Sequence, residues 1–167
     1  MKRKTAKKEI RIFLIRLLVL AATCWILFGV IFGITPMKNN DMFPKISAGD
    51  VLFYYRLEKD LVSGDVVVFE KEGKQYTGRI VARGGESVAV TEEEELEVNG
   101  SIVIENDIFY ETPQYKSDVT YPVELKSDKY FVLEDQREGA KDSRSFGAVK
   151  KEEIKGKVIT VLRRSNL

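Results

Sequence analysis

Residues 17–34 contain no charged side chain, and with the apolar residues 12–15 around Arg16 the run reaches the roughly 20 residues that a helix needs to cross a bilayer. No other stretch of the 167-residue chain is comparable. One apolar run implies one membrane helix, with the segments before and after it on opposite sides. Residues 1–11 form a basic tail with Lys2, Arg3, Lys4, Lys7, Lys8 and Arg11. The positive-inside rule therefore places that tail in the cytoplasm, residues 12–34 in the cell membrane and residues 35–167 outside the cell. A cleaved signal peptide shares the basic head, but its apolar core is about 7–15 residues, and Ile34-Thr35-Pro36-Met37 offers no small-x-small cleavage site. The helix is expected to remain as an anchor.

Charge divides the chain in the same place. The formal charge of +1 conceals a head of +6 over residues 1–34 and a body of −5 over residues 35–167. A nucleic-acid partner would require a basic face, which an acidic body does not offer. Cys24, the only cysteine, lies inside the apolar run, so there is no intrachain disulfide or cysteine metal site. The absence of histidine removes His-based triads and HExxH metal centres. No cofactor and no metal is expected.

The body reads as β structure. Val51-Leu52-Phe53-Tyr54-Tyr55, Val66-Val67-Val68-Phe69, the stretch from Gln75 through Val81, Ser87-Val88-Ala89-Val90, Tyr130-Phe131-Val132-Leu133 and residues 157–162 have strand composition. The unbroken apolar run at 66–69 suggests burial on both faces. Gly73 marks one hairpin turn, and Asn99-Gly100, between Leu96-Glu97-Val98 and Ile102-Val103-Ile104, marks another. Gly78 inside a strand signals a bulge or a close backbone approach. Residues 105–127, with Pro113 and Pro122, read as an insertion or lobe. A short helix or turn is expected at 150–154.

Five ordered blocks carry a family resemblance: Met42-x-Pro44 followed by Gly49-Asp50; Gly64-Asp65-Val66-Val67-Val68-Phe69; Arg79-Ile80-Val81 followed by Gly85; Val98-Asn99-Gly100; and Asp135-x-Arg137 followed by Asp142-Ser143-Arg144 and Gly147. In this order the chain resembles bacterial type I signal peptidases, membrane-anchored serine proteases that remove signal peptides with a Ser–Lys dyad. The resemblance runs from the anchor to residue 162. It implies a mainly β fold, a signal-peptidase-I-like β-sheet ectodomain behind one N-terminal transmembrane helix.

The same resemblance shows where the chemistry is missing. Asp41 stands where the family's S-M-x-P motif has its nucleophilic serine, Gly78 stands at the general-base lysine, and Ala140 replaces a supporting serine. Glu134 and Gln136 replace a Gly and an Asn of the last block. Acyl transfer to serine requires a hydroxyl and a neighbouring base, and Gly78 cannot be a base. Asp41 would need a second carboxyl to form an aspartic dyad; the resemblance implies that the nearest candidate, Asp142, pairs with Arg144 in a structural role, and Arg79 is expected to be structural as well.

What remains is a cleft able to hold an extended peptide by strand addition, expected to involve Asp41, Met42, Phe43, Pro44, Tyr76, Gly78 and Ile80, with the missing lysine leaving space at 78. The reading is a catalytically inactive signal-peptidase-like protein that binds exported polypeptides at the outer face of the membrane. Inactive relatives of this type are associated with Gram-positive pilus gene clusters, so the resemblance implies pilins among the bound chains and a sortase as partner. The alternatives are an active peptidase with rearranged chemistry and a structural subunit that recruits a peptidase or sortase through its outer face.

Overall fold

The computed structural model describes residues 2–106 and 108–163. Met1, the side chains of residues 2–6, Asp107 and residues 164–167 lie outside the described residues, and with them parts of the predicted basic tail, of segment 105–127 and of the ectodomain's C-terminal end.

The apolar run is helical. Helix α1 (Lys2–Trp25) continues into a wider π-helical turn, Ile26–Ile31. The apolar part, Lys7–Ile31, has 25 residues, none of them buried against the rest of the protein. At 1.5 Å per residue that is about 37 Å, enough for a hydrocarbon core of about 30 Å. The helix nevertheless ends three residues before the expected anchor boundary at 34, because Phe32–Pro36 forms strand β1. Pairing outweighs hydropathy there. Strand β1 runs antiparallel to β2 (Val51–Tyr55), and the Phe32 ring stacks on Phe53 at 4.9 Å. Gly33 is needed in this strand, since a Cβ at that position would run into the Tyr54 ring.

The chain continues through β3 (Val66–Lys71), β4 (Lys74–Arg83), β5 (Ser87–Val90), β6 (Leu96–Val98), β7 (Ser101–Ile102), β8 (Val123–Glu124) and β9 (Lys129–Leu133). It closes with a single-turn helix α2 (Ser143–Phe146), β10 (Val149–Lys150), a 3₁₀ turn Lys151–Glu153 and β11 (Ile154–Leu162). Seven strands form one sheet in the order β1-β2-β11-β3-β4-β9-β10, and four form a smaller one in the order β7-β6-β5-β8. The β3–β4 hairpin turns on Glu72 and Gly73, and the β6–β7 hairpin on Asn99 and Gly100, all four at positive φ. Two successive left-handed residues match the right-handed twist of the flanking strands.

Strand β3 lies at the centre of the larger sheet, with Val67, Val68 and Phe69 fully buried. Val67 and Phe69 join Ile80, Tyr130 and Val132 in one core, while Val68 joins Met37, Met42, Ile46 and Leu52 in another. Alternate residues of one strand thus serve two cores, as its uninterrupted apolar sequence implies. A third core, with Val88, Leu96, Leu125 and Phe131, joins the two sheets.

Segment 105–127 is no detached lobe. Leu125 is in the third core, Thr112 is buried, and Glu105 forms an ion pair with the fully buried Arg137 at 2.8 Å. Apolar patterning did not reveal this because polar side chains make most of the attachment.

Candidate functional site

Two strand edges without partners among the described residues frame the site. Strand β1 ends the larger sheet, so its outer edge is unpaired. Strand β4 pairs with β3 along Arg79–Lys74 but with β9 only from Arg79 onward, which leaves residues 74–78 free on that side. Between these edges lies a groove of about 730 Å³, lined by residues 36–39, Asp41, residues 73–77, Glu134, Gly139 and Lys141. A 2.8 Å hydrogen bond from the Gln75 amide to the Thr35 hydroxyl ties β4 to β1.

Asp41 sits in the turn after β1. The turn is closed by Phe43 N–H to Asn40 O (2.9 Å) and Ile46 N–H to Met42 O (3.0 Å), and the Asn39 amide donates to the Asp41 carboxylate. Gln136 N–H donates to Asp41 O at 2.8 Å and Asp135 N–H approaches Met42 Sδ at 3.4 Å, so the turn rests on the loop after β9. That loop supplies Glu134, only 2% exposed, which lines the groove together with Asp41. Burial, reinforced by the Asp41 and Asp142 charges, pushes the Glu134 carboxyl up to about 8. Burial also raises Asp41, while its hydrogen bond to Asn39 opposes the shift. Burial and neighbouring negative charge thus leave Glu134 holding its proton near neutral pH.

The other expected cleft residues separate by burial. Tyr76 lines the groove beside Asp41. Met42 and Ile80 are fully buried in the cores, and Phe43 and Pro44 are exposed outside the groove lining. Gly78 opens no space: a Cβ there would lie 2.7 Å from Val132 Cγ1 and 3.0 Å from Leu133 O. The glycine permits a close approach of β9, and a lysine could not be placed there without moving Val132. Ala140 is buried, its N–H donating to the Tyr115 hydroxyl at 3.0 Å.

The expected Asp142–Arg144 pair is formed, and Arg79 has a carboxylate partner that the sequence reading did not name. Arg144 and Asp142 are both fully buried and contact each other at 2.7 and 3.0 Å. Arg79 grips Asp135 through two bonds of 2.8 and 2.6 Å. These pairs fix the loop that presents Glu134. Glu134 is the residue that sequence reasoning missed as Asp41's neighbour in the groove; the signal was an acidic side chain at a position where the resembling family has glycine.

The family model described as "Signal peptidase, peptidase S26" matches residues 10–162. The chain belongs to this family. Among similar proteins, an inactive signal peptidase IA from Staphylococcus aureus (strain COL) is 26% identical, with 93% of this chain and 90% of that protein covered. Signal peptidase I of Bacillus amyloliquefaciens is 27% identical, with 93% and 89% covered. A crystal structure of a signal peptidase I from Enterococcus faecalis V583 matches with a TM-score of 0.52 and 26% identity, covering 61% of this chain and 98% of that one. These relatives bear both active and inactive names. The fold is that of an S26 signal peptidase, and the N-terminal helix is compatible with a single-pass anchor.

Proposed function

We propose that this S26 protein is a non-proteolytic accessory protein that holds exported polypeptides as an added strand in its groove, at the outer face of the cell membrane, and assists pilin assembly together with a sortase. The observation that carries this reading is the groove itself: it is lined by residues 74–77 of β4, which have no partner on one side, by the end of β1 at Pro36, and by the carboxyls of Asp41 and Glu134. An extended chain between β1 and residues 74–78 would bond to both edges at the usual strand spacing of about 4.8 Å. The name of the staphylococcal relative supports the absence of cleavage, and the basic head supports the assigned orientation. Pilins and the sortase rest on the family resemblance alone.

Photo-crosslinking tests the groove. With the full-length protein in liposomes and a purified pilin precursor, a photoreactive residue at position 75 is expected to capture the precursor, and one at Ile159, exposed on β11, is not. Capture from position 159 alone would instead support recruitment through the outer surface.

One observation favours a second reading. Asp41 and Glu134, which line one groove, supply the two carboxyls that an aspartic-type hydrolysis of the held peptide requires, one as base toward water and one as acid toward the leaving amine. Cleavage abolished by both Asp41→Asn and Glu134→Gln would establish it.

A further inference from the structure

Away from the groove, the smaller sheet has a free edge of its own. Strand β7 ends the order β7-β6-β5-β8, so its outer side has no partner among the described residues. Val103 N–H bonds inward to Leu96 O at 2.8 Å. Backbone amides alternate in direction along a paired strand, so the preceding Ile102 N–H points outward from this edge.

The side chains on both faces of the edge suit an added strand. Leu96 and Val98 pack on the third core, so Glu97 between them, and its cross-strand partner Ile102, face away from it. Ile102 is 46% exposed, and Ile104, two residues on, is 84% exposed. On the opposite face, Val103 lines a cavity of about 230 Å³ with Leu96, Ile80, Val81 and Ile108, room for one large apolar side chain. A strand laid against β7 meets backbone partners along the edge, a pocket on one face and exposed isoleucines on the other.

Charge decides the occupant. Residues 84–127, which contain this whole sheet, carry eleven acidic residues and two lysines, a net −9, while the rest of the ectodomain is +4. Glu97 stands beside Ile102, and the acidic turn 92–95 leads into β6 level with Ile104. A second copy would bring the same −9 against this face, and an anionic bilayer would be repelled in the same way.

We infer that the β7 edge docks an extended cationic segment of another protein by strand addition, with apolar residues alternating with Lys or Arg. The apolar side chains enter the pocket beside Val103. The aliphatic stems of the cations lie over Ile102 and Ile104, and their heads reach Glu97 and the 92–95 turn.

Solvent-exchange NMR on the full-length protein in phosphatidylcholine nanodiscs, with the capped peptide Lys-Val-Lys-Val-Lys-Val as probe, tests this. Saturating peptide is expected to slow exchange of the Ile102 amide about tenfold or more, because that amide gains an acceptor, while Glu-Val-Glu-Val-Glu-Val leaves it unchanged. Glu97→Lys, a change on the outer face of the sheet, and high salt should each weaken binding about tenfold. No slowing with the cationic peptide, equal slowing with the acidic one, or slowing confined to Tyr76 and its neighbours in the groove would overturn the proposal. So would Ile102 protection that grows with protein concentration alone, which assigns the edge to a second copy. Protection gained without peptide on replacing phosphatidylcholine by phosphatidylglycerol would assign it to the membrane and overturn the proposal too. None of these readouts depends on whether the groove holds a polypeptide.

Discussion

Replacing Arg144 by alanine is expected to lower the stability of the β domain by about 3–5 kcal/mol. The guanidinium is fully buried and bonds Asp142 at 2.7 and 3.0 Å, Arg137 O at 2.8 Å and Pro113 O at 3.1 Å. It also lies 4.4 Å from the centre of the Tyr115 ring. Removing it leaves the buried Asp142 carboxylate with backbone donors but no counter-charge, and takes a donor from Pro113 O and Arg137 O, which is where the large penalty arises. Lysine should rescue little, because one ammonium cannot reproduce a planar fork that reaches all these acceptors. Lys155→Ala, at the exposed Lys155–Glu70 pair of 2.9 Å, should change stability by less than about 1 kcal/mol. Urea unfolding of the full-length protein in detergent micelles checks both. Because Arg144 also holds segment 105–127 through Pro113, the alanine variant should expose that segment to proteolysis before the sheet unfolds.

The second large effect concerns pH. Glu134 is raised from 4.5 to about 8 in the folded protein, so the folded state keeps a proton that the unfolded chain has lost. Its stabilising contribution is whole below about pH 4.5, declines as pH rises, and is gone once pH has passed about 8. At about 1.4 kcal/mol per pH unit, that interval amounts to roughly 5 kcal/mol. Glu134→Gln removes the linkage, and the variant should be more stable than the unmodified protein at pH 8 by a few kcal/mol, with its unfolding midpoint flatter between pH 5 and pH 8. Unfolding midpoints measured across this range decide the matter; parallel curves for the two proteins would show that Glu134 does not hold its proton.

The central sheet was legible in the residues because its signals are local. Val66-Val67-Val68-Phe69 is apolar without interruption and is buried on both faces, and Asn99-Gly100 supplies the two left-handed residues of a hairpin. Strand β1 was hidden because Phe32–Pro36 follows the anchor without a polar break, and its partner β2 begins only at Val51. The attachment of segment 105–127 was hidden for a related reason, since besides Leu125 in the third core it is held by Glu105, Thr112 and Tyr115 through bonds to Arg137 and Ala140. At the site, the residues at 41 and 78 could be read one position at a time. The meeting of Asp41 and Glu134 in one groove could not, because it brings together positions 93 residues apart across a loop whose path depends on the Arg79–Asp135 and Arg144–Asp142 pairs.

The most direct test of a peptide-holding protein without protease activity is an assay that follows binding and cleavage together. Full-length protein in liposomes is incubated with pilin and other secretory precursors, beside Asp41→Asn and Glu134→Gln. The expected result is saturable binding of precursor with every chain recovered intact. Precursor shortened at its signal-peptide junction by the unmodified protein, and left whole by either variant, would contradict the account and make the carboxyl pair catalytic.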